Sequence, residues 1–332
     1  MRGRPGGQPA RNGRYIDAVT RLAAAVAPGR SLAEAVERAR LAERTGYDSV
    51  WLSQLPNERD TSLVLAAYAG GTERVGLGSF VFPIYTRHPT AMVQMAATLD
   101  ELSNGRFRLG IGVSHRVTVE ALWGLRLEHP VDAMREYLTI VRRSLTEGSV
   151  SFEGAHFTAR WAYSPSHRAD LPVLIAALRP RMLELAGELA DGVALWMCSP
   201  RYIQSHVVPY VRAGRERAGK DLDGFEIVAA LDVSLTTNVE GARHVFRRRF
   251  EQYASLPYYR RMLDASGFRD QLARGEITDD MLHELAGLGD EQALRDAVRR
   301  YRDAGCTLPL IGPFAQHEGA AGFEATLKAA IG

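Results

Sequence analysis

With 332 residues, 46% hydrophobic and 24% charged, the chain has the composition of a globular protein and is long enough to bury a large core. Its 41 Lys and Arg against 39 Asp and Glu leave a formal charge of +2, too small for an overall field that would gather nucleic acid or an anionic membrane. Two cysteines without CxxC spacing argue against a disulfide framework or a metal site and fit a reducing cytoplasm, and apolar runs such as 63–69 fall short of the roughly 18 residues that a membrane span needs.

Residues 1–20 open with Arg2, Arg4, Arg11 and Arg14 among Gly, Pro and Gln, too little apolar surface to offset the entropy of ordering. A disordered basic tail without an apolar signal-peptide core is expected there, followed by one domain over residues 21–331. Leu22 to Val26 reads as a first strand. Ser31 then caps a helix in which Leu32, Ala35, Val36, Ala39 and Ala42 recur at spacings of three and four, and Gly46 ends it. Residues 49–52 predict a second strand, a helix starts near Thr61, and 74–81 predict a third strand. Met92, Met95, Ala96, Leu99 and Leu102 mark one face of the next helix. Residues 107–113, 173–177, 192–196, 225–233 and 308–311 complete eight strand-like runs, most of them following a helical stretch.

That alternation implies parallel pairing through right-handed crossovers. Eight repeats close as a (β/α)8 TIM barrel, whereas a doubly wound open sheet would carry a Gly-rich first turn, which Ala27-Pro28-Gly29-Arg30 is not. Two insertions break the rhythm. About residues 150–165, β-formers alternate around Glu153-Gly154 and read as a small hairpin. Residues 255–289 are helical and charged after Pro257, a length that forms either a lid over a site or a purely structural excursion.

Barrel active sites lie where strands end. Those ends read Ser53-Gln54, Phe80 to Tyr85, Gly112-Val113-Ser114-His115 and Trp196-Met197-Cys198-Ser199. Aromatic, glycine and small polar residues together suit a flat polycyclic ligand, although Gly78 and Gly112 read equally as relief of crowding at a barrel rim. Ser199-Pro200 has the N-cap and first-turn residues of a helix whose free N–H groups could hold a phosphate, or simply of a capped helix. His115 is a candidate acid or base near neutral pH, with a hydrogen-bonded wall residue as the plain alternative. No nucleophile elbow, P-loop or zinc helix is present.

The block 103–113 (SNGRFRLGIGV), preceded by His88-Pro89 and the 94–102 helix, resembles the corresponding region of luciferase-like flavin oxidoreductases. Residues 46–51 and 185–192 match two further blocks of that family in the same order. Ser114-His115 with Val119-Glu120 and 134–138 is similar to the branch that uses the deazaflavin coenzyme F420, methylenetetrahydromethanopterin reductases among them. The resemblance implies a bacterial luciferase-like barrel with the cofactor ring against the end of the third strand, where a non-prolyl cis peptide aligns with Ser79 to Val81. The cofactor contacts it implies, taken with the strand-end reading, are Ser53, Gln54, Ser79, Phe80, Val81, Gly112, Ser114, Ala177, Arg179, Trp196, Met197, Cys198 and Ser199, with His115 catalytic and no metal. Two departures stand out. Ser53-Gln54-Leu55 replaces the His that dehydrogenases of the branch carry, which argues against alcohol oxidation, and Leu178-Arg179 stands where paired glycines would approach the phosphate.

The expected activity is therefore reduction of an activated C=C or C=N bond in a small molecule or modified peptide by reduced F420. An FMN-dependent monooxygenase and a non-catalytic flavin-binding barrel are the alternatives. A cytoplasmic homodimer, without nucleic-acid or membrane partners, is expected.

Overall fold

A computed structural model describes residues 21–314 and 319–331, so the expectation for the basic tail lies outside the described residues. Local chemistry sets the first repeat. Ser31 accepts a hydrogen bond from the Glu34 amide and starts the helix Leu32–Thr45, and Gly46 ends it in the left-handed region at φ 100°. The same alternation continues around the molecule.

Eight parallel strands close the barrel: β1 (Ala23–Ala25), β2 (Ser49–Leu52), β3 (Gly76–Ser79), β4 (Phe107–Gly112), β5 (Val173–Ala176), β6 (Gly192–Leu195), β7 (Glu226–Leu235) and β8 (Leu308–Pro313). Each pairs with the next, and β8 returns to β1 through Ala23 opposite Leu310. The expected eight runs are these strands, trimmed by a few residues at their ends or, on β7 and β8, lengthened. The hairpin is also present, Ser149–Glu153 against Thr158–Ala162 in antiparallel register.

The second insertion differs from its helical reading. Its helices Pro257–Leu263, Arg269–Ala273 and Asp279–Leu285 are followed by a strand, Ala286–Gly289, which pairs in parallel with residues 232–235 of β7. A four-residue Ala-Gly-Leu-Gly run has no strand signature of its own; the unpaired edge of the long β7 supplies its ladder.

Strand alternation divides the core in two. Outward residues such as Val50, Leu77, Leu109, Ile175, Val193 and Leu231 meet the helical shell. Inward residues Ala23, Trp51, Leu174, Ala194, Val228, Ala230, Leu308 and Leu310 fill the barrel. Four charges close its lower end. Arg21 donates to Asp48 at 2.9 Å and to Glu226 at 2.8 Å, while Arg108 lies 3.6 Å and 3.3 Å from the same two carboxylates. Burial alone would raise the Asp48 carboxyl, but its hydrogen bond to Arg21 and the charges of Arg108 and Arg21 hold it below the ordinary carboxylate range.

Trp51 dominates the interior, being 1% exposed with its indole N–H donated to Ser49 Oγ at 2.9 Å. Gly78 makes room for it, since a Cβ there would lie 2.3 Å from the indole ring. Gly78→Ala is expected to cost about 1–3 kcal/mol through overpacking, read as a lowered midpoint of urea unfolding. An unchanged midpoint would mean that the indole has another place to go.

Candidate active site

Above the Trp51 layer the third strand breaks. The Phe80–Val81 peptide is cis, and Phe82–Pro83 resumes pairing with β4 opposite Ile111 and Gly112. The side chain of Ser79 bridges the gap, its hydroxyl donating to the Gly110 carbonyl at 2.9 Å and accepting from the Gly110 amide at 2.8 Å. Gly110 and Gly112 are required by this bulge: a Cβ would stand 2.0 Å from the Ser79 carbonyl oxygen at Gly110, and 2.7 Å from Val81 Cγ2 at Gly112.

The bulge turns Phe80 inward over Trp51. Trp51 and Phe80 meet edge to face at 6.2 Å, and Phe80 and Trp196 at 6.4 Å. Together with partly buried Ala25 and Val81 they form an apolar floor at the C-terminal mouth. The aromatic line continues outside the barrel. Trp196 contacts Tyr253 on the helix Val239–Ala254 at 5.9 Å, Tyr253 contacts Tyr259 of the second insertion at 5.4 Å, and Tyr259 lies 6.0 Å from His115 at the end of β4. The 255–289 insertion therefore walls the mouth through Tyr259.

Two residues at strand ends hold left-handed backbone without being glycine, Ser114 at φ 59° and Met197 at φ 45°. Such conformations cost on the order of 1–3 kcal/mol and gather at functional sites. His115 follows the first of them. Burial pushes its imidazole below its ordinary 6.5, so it is neutral at neutral pH.

A carboxylate lies in the same mouth. On β7, Val228, Ala230 and Asp232 share the inward face, and Asp232 is 6% exposed. Arg249 donates to it at 3.1 Å and also lies 5.2 Å from the centre of the Trp196 ring. Burial pushes the Asp232 carboxyl up to about 6 despite that cation.

The mouth fits a flat, polar-edged heterocycle. It offers an apolar floor, and beside it the buried Trp196 Nε1 and His115 Nδ1 have no hydrogen-bond partner among the described residues. Buried polar groups in folded proteins are paired as a rule, so these atoms fit the polar edge of such a ring.

The residues singled out from the sequence divide accordingly. Phe80, Val81, Ser114, His115 and Trp196 border the mouth or its floor. Ser79 and Gly112 instead hold the bulge together. Ala177 and Met197 pack into the outer core, because the strand period turns Ala176 and Trp196 toward the mouth and their neighbours away, and Cys198 joins them after the left-handed turn at Met197 breaks the alternation. The Ser53 carbonyl accepts from Thr61 Oγ1 and Gln54 Oε1 accepts from the Thr61 amide at 3.0 Å, both bracing the start of the helix Thr61–Gly71. Arg179 is exposed at the end of β5 and, among the described residues, makes no ion pair. Ser199 departs most from the phosphate reading. It is fully buried, accepts from the Tyr202 amide at 3.1 Å, and shares a 2.7 Å hydrogen bond with Ser266 of the insertion, so the helix start is occupied by its own cap. Sequence reasoning missed Asp232 and Arg249, although an acid within the otherwise apolar run 227–233 was visible. Tyr253 and Tyr259 gave no signal, since only the path of the insertion brings them to the mouth.

The fold and this site define a closed (β/α)8 barrel with an aromatic-floored mouth at the C-terminal ends of its strands. The family profile described as luciferase-like monooxygenase matches residues 15–308, and the chain belongs to that family. It is 34% identical over 209 residues to 5,10-methylenetetrahydromethanopterin reductase of Archaeoglobus fulgidus, a match covering 63% of this chain and 62% of the relative. The chain thus aligns with less than two thirds of that relative's length. In fold it is similar to the coenzyme F420 dependent tetrahydromethanopterin reductase of Methanopyrus kandleri, with TM-score 0.79, 21% identity and coverage of 94% and 97% of the two chains. It is also similar to the oxygenating component of 3,6-diketocamphane monooxygenase from Pseudomonas putida in complex with FMN, with TM-score 0.71, 17% identity and coverage of 93% and 95%.

Removing the Ser199 hydroxyl is expected to lower stability by about 0.5–2 kcal/mol, the usual worth of an N-cap, in urea unfolding of Ser199→Ala. A loss well below that range would mean that the Tyr202 amide finds another acceptor.

Proposed function

We propose that this chain is a reductase that binds coenzyme F420 at the barrel mouth and reduces an activated C=C or C=N bond of a small molecule or modified peptide. The observation that carries the reading is the Trp51–Phe80–Trp196 floor, beside which Trp196 Nε1 and His115 Nδ1 are buried without partners among the described residues. The reductase names of its relatives support it, and so does the absence of a His in the Ser53-Gln54-Leu55 stretch, which leaves alcohol oxidation without its base. A homodimer working in the cytoplasm goes with this reading; among the described residues no helix is long and apolar enough to cross a membrane.

When bound, reduced F420 supplies the hydride. The chain's own residues bind, orient and shield. Phe80, Val81 and Trp196 support one ring face, and Trp196 Nε1 offers a donor to a polar ring edge. Arg179, exposed at the end of β5, offers a cation to an anionic tail. Neutral His115 gives or accepts a hydrogen bond at the substrate, and Tyr259 keeps water from that side of the mouth.

An FMN-dependent monooxygenase is the second reading, favoured by the fold shared with the FMN-bound diketocamphane enzyme. Fluorescence titration with F420 and FMN side by side separates the two. Tighter binding of F420 is expected, with His115→Ala changing its Kd no more than a few-fold. Equal or tighter binding of FMN, with oxygen consumed when FMN is reduced, would replace the reductase by the monooxygenase.

A further inference from the structure

We infer that Asp232 is the proton store of this site, taking up a proton when a flat cofactor covers the mouth and passing it to the substrate. The inference rests on the F420 reading for the identity of that cofactor. Asp232 lies on the inward face of β7, one alternation above Ala230, level with the floor rather than with the helical shell. Its neighbour on β8 is Gly312, where a Cβ would come 3.0 Å from Asp232 Oδ1. The missing side chain leaves space for the carboxyl.

Among the described residues, its hydrogen bond is to Arg249 alone. The other ionisable group near it is the phenol of Tyr301, on the helix Glu291–Asp303, which burial holds neutral well above neutral pH. Arg249 is shared with the face of Trp196 and is itself partly exposed, so the charge of the carboxylate rests on one cation and on the small part of its surface left open. A ring laid on Phe80 and Trp196 would cover that part. Desolvation then favours the neutral acid, and the carboxylate takes a proton from solvent. His115, pushed the other way by burial, is a poor store at neutral pH.

The bookkeeping of the reaction closes with this proton. A hydride from the reduced deazaflavin forms the new C–H bond of the C=C or C=N group, the π pair moves to the adjacent carbon or nitrogen, and the Asp232 O–H proton bonds there. The oxidised deazaflavin and the Asp232 carboxylate remain, and the carboxylate pairs again with Arg249.

Proton uptake on binding tests this directly, by calorimetric titration of F420 into the protein in two buffers of different ionisation enthalpy between pH 6 and pH 8. Wild-type protein is expected to take up measurably more protons per F420 bound than Asp232→Asn. Its affinity, relative to that variant, should fall as pH rises above about 6, by at most tenfold per pH unit. If Asp232→Asn does not fold, Arg249→Gln provides the test. Loss of the cation raises the carboxyl further, so the pH of maximum uptake should move upward. Uptake equal in wild type and Asp232→Asn, or a maximum unmoved in Arg249→Gln, would overturn the inference while F420 binding stands. Failure of F420 to bind at all would remove the cofactor reading; the same comparison with FMN then decides on Asp232, and binding of neither would end both.

Discussion

A single indole sets the geometry of the barrel. Trp51 occupies the interior, with Ala25 of β1 paired opposite it on one side and, on the other, Gly78 of β3, which contributes no side chain at all. Close packing leaves no slack for a second large group there. What comes next along the third strand must therefore stack on top of Trp51, and Phe80 does so edge to face. The floor of the mouth is thus a consequence of how the barrel is filled.

The two ends of the barrel treat charge differently. At the lower end two arginines and two carboxylates neutralise one another, each with several partners, and Asp48 stays ionised. At the mouth Asp232 has, among the described residues, one arginine, which it shares with an aromatic ring, and burial raises its carboxyl to about 6. Asp48 lies partly buried just before β2, and Asp232 is buried on the inward face of β7. The number of cations around each decides which is structural and which is poised to exchange a proton.

The glycines of the fourth strand show how a family resemblance can rest on packing. Gly110 and Gly112 stand in the block that resembles the family, and close approach of a ligand was one reading of Gly112. Their missing Cβ atoms instead accommodate the Ser79 carbonyl and the Val81 side chain, the two sides of the bulge. They act on the site through the backbone they allow Phe80 and Val81 to adopt. Ser79 belongs to the same device, since its hydroxyl replaces the ladder bonds that the bulge forfeits.

The sequence by itself determined the barrel, because strand and helix periods, caps and the count of repeats are local properties that any segment displays without its neighbours. It also marked the strand ends that border the mouth, including Phe80, Val81, Ser114, His115 and Trp196. Which side of a strand end faces the mouth was beyond it for Ala177 and Met197, since a shift of one residue exchanges inside for outside, and for Cys198, which follows the left-handed Met197. Only the tertiary structure decided the rest. Ser199 lost its open helix start to Ser266, 67 residues away in the chain. Asp232 gained its raised proton affinity from burial and a single arginine seventeen residues on. Tyr259 reached His115 through an insertion whose path is set by long-range pairing with β7, and burial and long-range contact are properties that no local pattern of residues encodes.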